Sequence, residues 1–107
     1  MKHEDNRRTL IDWDAEKAKT IKTVVAKKDC VLGKHYHKIK TEKFMLVSGK
    51  ALCRIEKDPI FKMELFKEVV INPGVTHSFQ LDEGAVLLCQ VNKHYDPNDD
   101  YESGSNS

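Results

Sequence analysis

Several things are scarce in this chain of 107 residues, and each scarcity closes off a class of protein. No apolar run approaches the ~20 residues that a bilayer-crossing helix needs; the longest, Ala85-Val86-Leu87-Leu88-Cys89, is a fraction of that length. A charge excess is missing too, since 18 Lys and Arg face 17 Asp and Glu for a formal net charge of +1. No basic stripe interleaved with aromatics appears, so neither nucleic acid nor a membrane is expected as a partner. The three cysteines, Cys30, Cys53 and Cys89, lack paired metal-binding spacing and read as reduced thiols of a cytoplasmic protein. Met1-Lys2-His3-Glu4-Asp5-Asn6-Arg7-Arg8 leads into no apolar segment, so no secretory signal is expected.

What is present suits one soluble domain, with 33% charged and 39% hydrophobic residues. A chain of this length can bury roughly two-thirds of its unfolded surface in a single core. Residues favouring a pleated surface gather in short runs. Ile21 to Val25, Cys30 to Leu32, Glu42 to Ser48 and Ala51 to Glu56 are such runs. Ile60 to Phe66, Glu68 to Ile71, His77 to Leu81 and Val86 to Val91 complete the series. Gly49-Lys50, Asp58-Pro59, Asn72-Pro73-Gly74 and Asp82-Glu83-Gly84 supply turns between them. About eight short strands without a long helix predict an all-β fold, a double-sheet jelly roll or barrel.

Residues 1–19 read as an N-terminal extension, polar and frayed over 1–12, then a short helical turn with Asp12 as its cap. Trp13 is expected to act as a hydrophobic lid on a sheet. Residues 20–95 form the single barrel domain. Residues 96–107 read as a polar tail without ordered structure beyond Tyr101.

Chemistry concentrates in Gly33-Lys34-His35-Tyr36-His37-Lys38-Ile39-Lys40-Thr41-Glu42. Side chains two apart on a strand share a face, so His35 and His37 point the same way. Glu42 can return to that face after a turn of about four residues, and His77 lies behind Pro73-Gly74 as a fourth candidate. Imidazole and carboxylate together suit manganese, iron, cobalt, nickel or zinc, with open positions for substrate or water.

This spacing resembles the first motif of the cupin superfamily: His35-x-His37, four residues, Glu42, six residues, Gly49. Pro73-Gly74-Val75-Thr76-His77 resembles the second motif, with one residue fewer between proline and glycine. The resemblance implies a jelly-roll barrel holding a divalent transition metal through His35, His37, Glu42 and His77. It also implies a homodimer formed through a sheet, with which the two-faced apolar strand Phe44–Val47 is consistent, although that strand would equally serve a sandwich core. More locally, Lys34-His35-Tyr36-His37-Lys38, Glu42, His77 and Asp99-Asp100-Tyr101 are similar to the cupin region of mannose-6-phosphate isomerase-type proteins.

The expected function is therefore a metal-dependent isomerase or epimerase acting on a small molecule such as a sugar or sugar phosphate. Alternatives are a metal-dependent dioxygenase and a non-catalytic cupin that binds a small ligand. Phe44 and Phe79 are in phase with Glu42 and His77, and serve either as substrate-binding walls or as plain core. Lys34, Lys38, Lys40 and Lys43 either line a mouth for an anionic ligand or form a solvated hairpin. No general base is assigned, because Tyr36 faces away from the ligands by strand parity.

Overall fold

The computed structural model describes residues 2–99 and 101–102, the side chains of Lys34 and Glu102 excepted, and every regular element in it is a β-strand. In chain order these are β1 (Lys2–Glu4), β2 (Thr9–Ile11), β3 (Thr20–Val25), β4 (Cys30–Tyr36), β5 (Glu42–Ser48) and β6 (Ala51–Ile55). There follow β7 (Phe61–Lys62), β8 (Glu68–Ile71), β9 (His77–Leu81), β10 (Val86–Val91) and β11 (Tyr101–Glu102). No described helix is long and apolar enough to cross a membrane.

Two antiparallel sheets carry the fold, in the orders β3-β10-β5-β8 and β11-β4-β9-β6-β7, and β1 and β2 pair as a separate ribbon. The fold is all-β and of the expected jelly-roll type. Strand β5 is buried at most positions because both of its faces are apolar. Its inward row, Phe44 and Leu46, meets Leu87 and Cys89 of β10 and Phe79 and Leu81 of the opposite sheet in one core. Each such side chain removed from water contributes roughly 1.5–3 kcal/mol.

The structure departs from the sequence reading in four places. Residues 2–11 pair as a hairpin instead of fraying. The Asp5 carboxylate accepts the Arg7 and Arg8 amides at 2.8 and 3.1 Å, which closes the turn locally. No helical turn forms over 12–19; Ala18 donates to Ala15 O in a single tight turn, with Glu16 at φ 44°. Trp13 of this segment is half-buried and donates its indole N–H to Glu68 Oε2 at 2.7 Å. The expected strand Ile60–Phe66 shrinks to β7, because the chain there crosses between sheets. The Met63 amide bonds Ala51 O on one sheet and the Phe66 amide, at φ 67°, bonds Leu46 O on the other. Finally, the start of the presumed tail is ordered: β11 pairs with β4, Tyr101 opposite Tyr36. Residues 103–107 lie outside the described set.

Candidate functional site

The phase of β4 decides where its histidines point. Cys30 and Leu32 pack against the core, so plain alternation would send Lys34 and Tyr36 inward and both histidines out. The ladder with β9 avoids this. Gly33 pairs with Ser78 and the next pair is His35 with His77, so Lys34 is an extra, bulged residue. Gly33 makes the bulge possible: its φ is 130°, and a Cβ there would stand 2.5 Å from Ser78 Cα. Past the bulge the phase is reversed, which brings His35 opposite His77 and sends Tyr36 out to stack on Tyr101 at 5.3 Å.

The turn Asn72-Pro73-Gly74 supports the same cluster from the other sheet edge. Val75 N donates to Asn72 O at 3.2 Å, and Gly74 N donates to His37 O at 2.6 Å. The strand that follows begins at His77. Thus His35, His37 and His77 offer nitrogens that all lie within 4.8 Å of one another, with ring centroids 4.7 to 5.8 Å apart. Glu42, at the start of β5, adds Oε1 at 3.2 Å from His37 Nε2 and 3.5 Å from His77 Nε2. All four predicted ligand positions come together.

The polarity of this cluster is unusual. His77 Nδ1 lies 3.0 Å from Val75 O, and His37 Nδ1 makes a short hydrogen bond with Asp99 O. A carbonyl only accepts, so each Nδ1 carries a proton, and in the neutral ring Nε2 then presents a lone pair inward. Those two Nε2 atoms and Glu42 Oε1 are buried without a hydrogen-bond partner among the described residues. With both rings neutral the contacts at 3.2 and 3.5 Å bring acceptor toward acceptor, an arrangement relieved by a proton on an Nε2 or by a cation between the groups. Burial favours the neutral form of His77 and lowers its pKa. Burial also opposes charge on His37, but Glu42 beside it outweighs that and raises its pKa. The three imidazoles and one carboxylate fit a divalent transition metal by donor type and by convergence.

Two contributors were not singled out in the sequence. Lys22 of β3 donates to Glu42 Oε2 at 2.8 Å. Burial works against the Glu42 carboxylate, yet contact with His37 and pairing with Lys22 hold it well below the usual carboxylate range. A lysine on the inward phase of an otherwise alternating strand was the available signal. The second is Asp99, whose carbonyl meets His37 Nδ1; the sequence carried it only within a local similarity and gave it no role.

The remaining predicted residues distribute around the cluster. Phe44 and Phe79 belong to the buried core, 4.6 Å apart, and flank His77 with centroids at 6.1 and 6.0 Å. Lys38 lies over the Tyr101 ring at 4.4 Å and Lys40 is buried. Lys43 sits on the opposite face of β5 and pairs with Glu16 at 3.0 Å, so it does not line the site. The buried thiols Cys53 and Cys89 are pushed up by desolvation to about 11 and about 12.

Residues 3–101 match the family model described as the polysaccharide biosynthesis C-terminal domain. No curated protein sequence matches the chain significantly. Among solved structures, the chain is similar to a double mutant of the QdtA 3,4-ketoisomerase from Thermoanaerobacterium thermosaccharolyticum in complex with TDP. That match has 24% identity and a TM-score of 0.81, over 96% of this chain and 83% of the other. It is also similar to the capsular polysaccharide assembling protein CapF from Staphylococcus aureus, at 27% identity and a TM-score of 0.70. There it covers 96% of this chain but 32% of that one, so it spans about a third of CapF. ChmJ, a 3′-monoepimerase from Streptomyces bikiniensis in complex with dTDP-quinovose, aligns at 18% identity and a TM-score of 0.81, over 98% of this chain and 67% of its own.

Proposed function

The chain belongs to the polysaccharide biosynthesis C-terminal domain family, and on that premise we propose that it is a metal-binding cupin that isomerises or epimerises a sugar carried on a nucleoside diphosphate. The carrying observation is the inward convergence of two Nε2 atoms and Glu42 Oε1, all buried and without a hydrogen-bond partner among the described residues. His35, His37, Glu42 and His77 would hold the cation. A bound divalent metal supplies Lewis acidity toward a carbonyl or enediolate oxygen of the sugar.

The chain's own residues prepare that site. Lys22 keeps Glu42 ionised while the carboxylate is 1% exposed. Phe44 and Phe79 exclude water from beneath His77. His35 is less buried than the other three and marks the side from which a ligand arrives. The TDP and dTDP-sugar complexes of the structural neighbours support the choice of substrate class.

The test is elemental analysis of protein purified without added metal, followed by NMR of TDP-4-keto-6-deoxyglucose incubated with it; that sugar is bound by a QdtA variant. Bound metal in near-stoichiometric amount and migration of the keto group, or inversion at a neighbouring carbon, are expected. A metal-free protein with an unchanged sugar would defeat the proposal.

We propose further that the protein self-associates through β3. Ile21 and Val25 are 60% and 59% exposed on the outer face of this edge strand, while Lys22 turns inward. Light scattering is expected to give twice the chain mass, and Ile21→Lys to give a monomer.

A further inference from the structure

The C-terminal residues reach back to the histidine hairpin. A turn in which Asp99 N donates to Asp96 O at 3.1 Å, and Asn98 N to Asp96 Oδ1 at 2.9 Å, lays Asp99 against it. Asp99 is 4% exposed. Its carboxylate accepts the backbone amides of Lys38 at 2.8 Å and Ile39 at 3.4 Å, the two residues that follow His37. Its carbonyl meets His37 Nδ1. Tyr101, two residues on, stacks on Tyr36 and lies beneath the Lys38 ammonium.

A carboxylate is removed from water at a cost of several kcal/mol unless donors replace the lost hydration. Here the replacing donors belong to the turn beside a candidate ligand, so the side chain and the carbonyl of one residue grip the same segment at two points. We propose that Asp99 is a positioning residue for His37. Its carboxylate fastens the Lys38–Ile39 turn, and this holds its carbonyl where only the Nδ1–H tautomer of His37 fits, with Nε2 aimed into the cluster. The consequence for metal affinity rests on reading that cluster as a cation site; the consequence for the tautomer does not.

The experiment uses the full chain, uniformly labelled with nitrogen-15, and records long-range proton–nitrogen correlations of the imidazoles without metal. Wild type is expected to show His37 as a single Nδ1–H tautomer. Asp99→Ala should give a mixture of tautomers, and Asp99→Asn, which keeps an acceptor for the Lys38 amide, should restore the single form. Cobalt(II) added alone and followed by its visible absorption is expected to bind Asp99→Ala ten- to a hundredfold more weakly, the range for residues behind a metal ligand, with Asp99→Asn close to wild type. If Asp99→Ala fails to fold, Asp99→Ser, too short to span both amides, takes its place in the same comparison. An Asp99→Ala or Asp99→Ser variant that keeps the single tautomer and full cobalt affinity overturns the proposal. Should wild type bind no cobalt, the metal reading fails by itself and the tautomer spectra still decide the role of Asp99.

Discussion

The Lys22 ammonium lies 2.8 Å from Glu42 Oε2, so the oxygen turned away from the histidines is neutralised from the opposite side of the carboxylate. One oxygen is held by protein while the other is left to the cluster. That division makes Glu42 an anion at a depth where an unpaired carboxyl would stay protonated.

Lys22→Met is therefore expected to act through Glu42. Breaking a buried pair costs roughly 3–5 kcal/mol, but the Lys22 side chain is 38% exposed, so a loss of about 1–3 kcal/mol is expected after solvent screening. The pH sign follows from a lowered folded-state pKa: the stabilisation is present above the unfolded carboxylate range and fades as pH falls below about 5. With Lys22 gone, acid unfolding should begin at higher pH. Urea melts at pH 7 and a circular-dichroism acid titration measure both; coincident curves for the two proteins would contradict the coupling.

Gly33→Ala should be among the most damaging small substitutions in the chain. The added methyl would meet Ser78 Cα at 2.5 Å on a backbone whose φ is 130°. Relief requires the bulge to open, at an expected cost above about 2 kcal/mol. Thermal melting reads the loss. An alanine variant melting with wild type would show that the bulge tolerates a side chain.

Added metal should stabilise the protein through His77. A ligand at a hundred times its Kd stabilises the folded state by about 2.7 kcal/mol, which appears as a rise in Tm. His77→Ala removes one Nε2 and should abolish most of that rise at the same metal concentration. Differential scanning fluorimetry with manganese, nickel or zinc is the measurement, and an undiminished rise in the variant would remove His77 from the ligand set.

The cysteines should divide by accessibility. Cys30 is half-buried, whereas Cys53 and Cys89 are 1% and 0% exposed, with thiols held at about 11 and about 12. At pH 8 iodoacetamide should label Cys30 first, and the other two only in denaturant. The linkage sign is that of a raised pKa: unfolded thiols ionise near 9 and folded ones do not, so stability is full below about pH 9 and declines above it. Mass spectrometry of labelled peptides checks the order.

Much of this was legible in the sequence, for reasons that differ by residue. The alternation in Glu42–Ser48 and the turn residues at Gly49 and Pro73-Gly74 express period-two packing and backbone restriction, which are local. The grouping of His35, His37, Glu42 and His77 was readable because their spacing matches a known motif. The inward direction of the histidines was not, since the phase of Cys30 and Leu32 argues for the opposite face and only the Gly33–Ser78 approach explains the reversal. Lys22, Asp99 and the hairpin of residues 2–11 escaped because their partners lie far along the chain or depend on one capping carboxylate. The strand expected over Ile60–Phe66 failed because its apolar residues serve two sheets in turn.

The bulge at Lys34 has a further consequence for how this strand can change over evolutionary time. Because Lys34 has no opposing residue on β9, deleting its codon would leave every existing cross-strand partnership intact, on a regular ladder. A strand interior is ordinarily closed to changes of length, yet here is one position where shortening preserves the face that carries the histidines. Relatives one residue shorter at this point would align poorly by spacing while presenting the same chemistry.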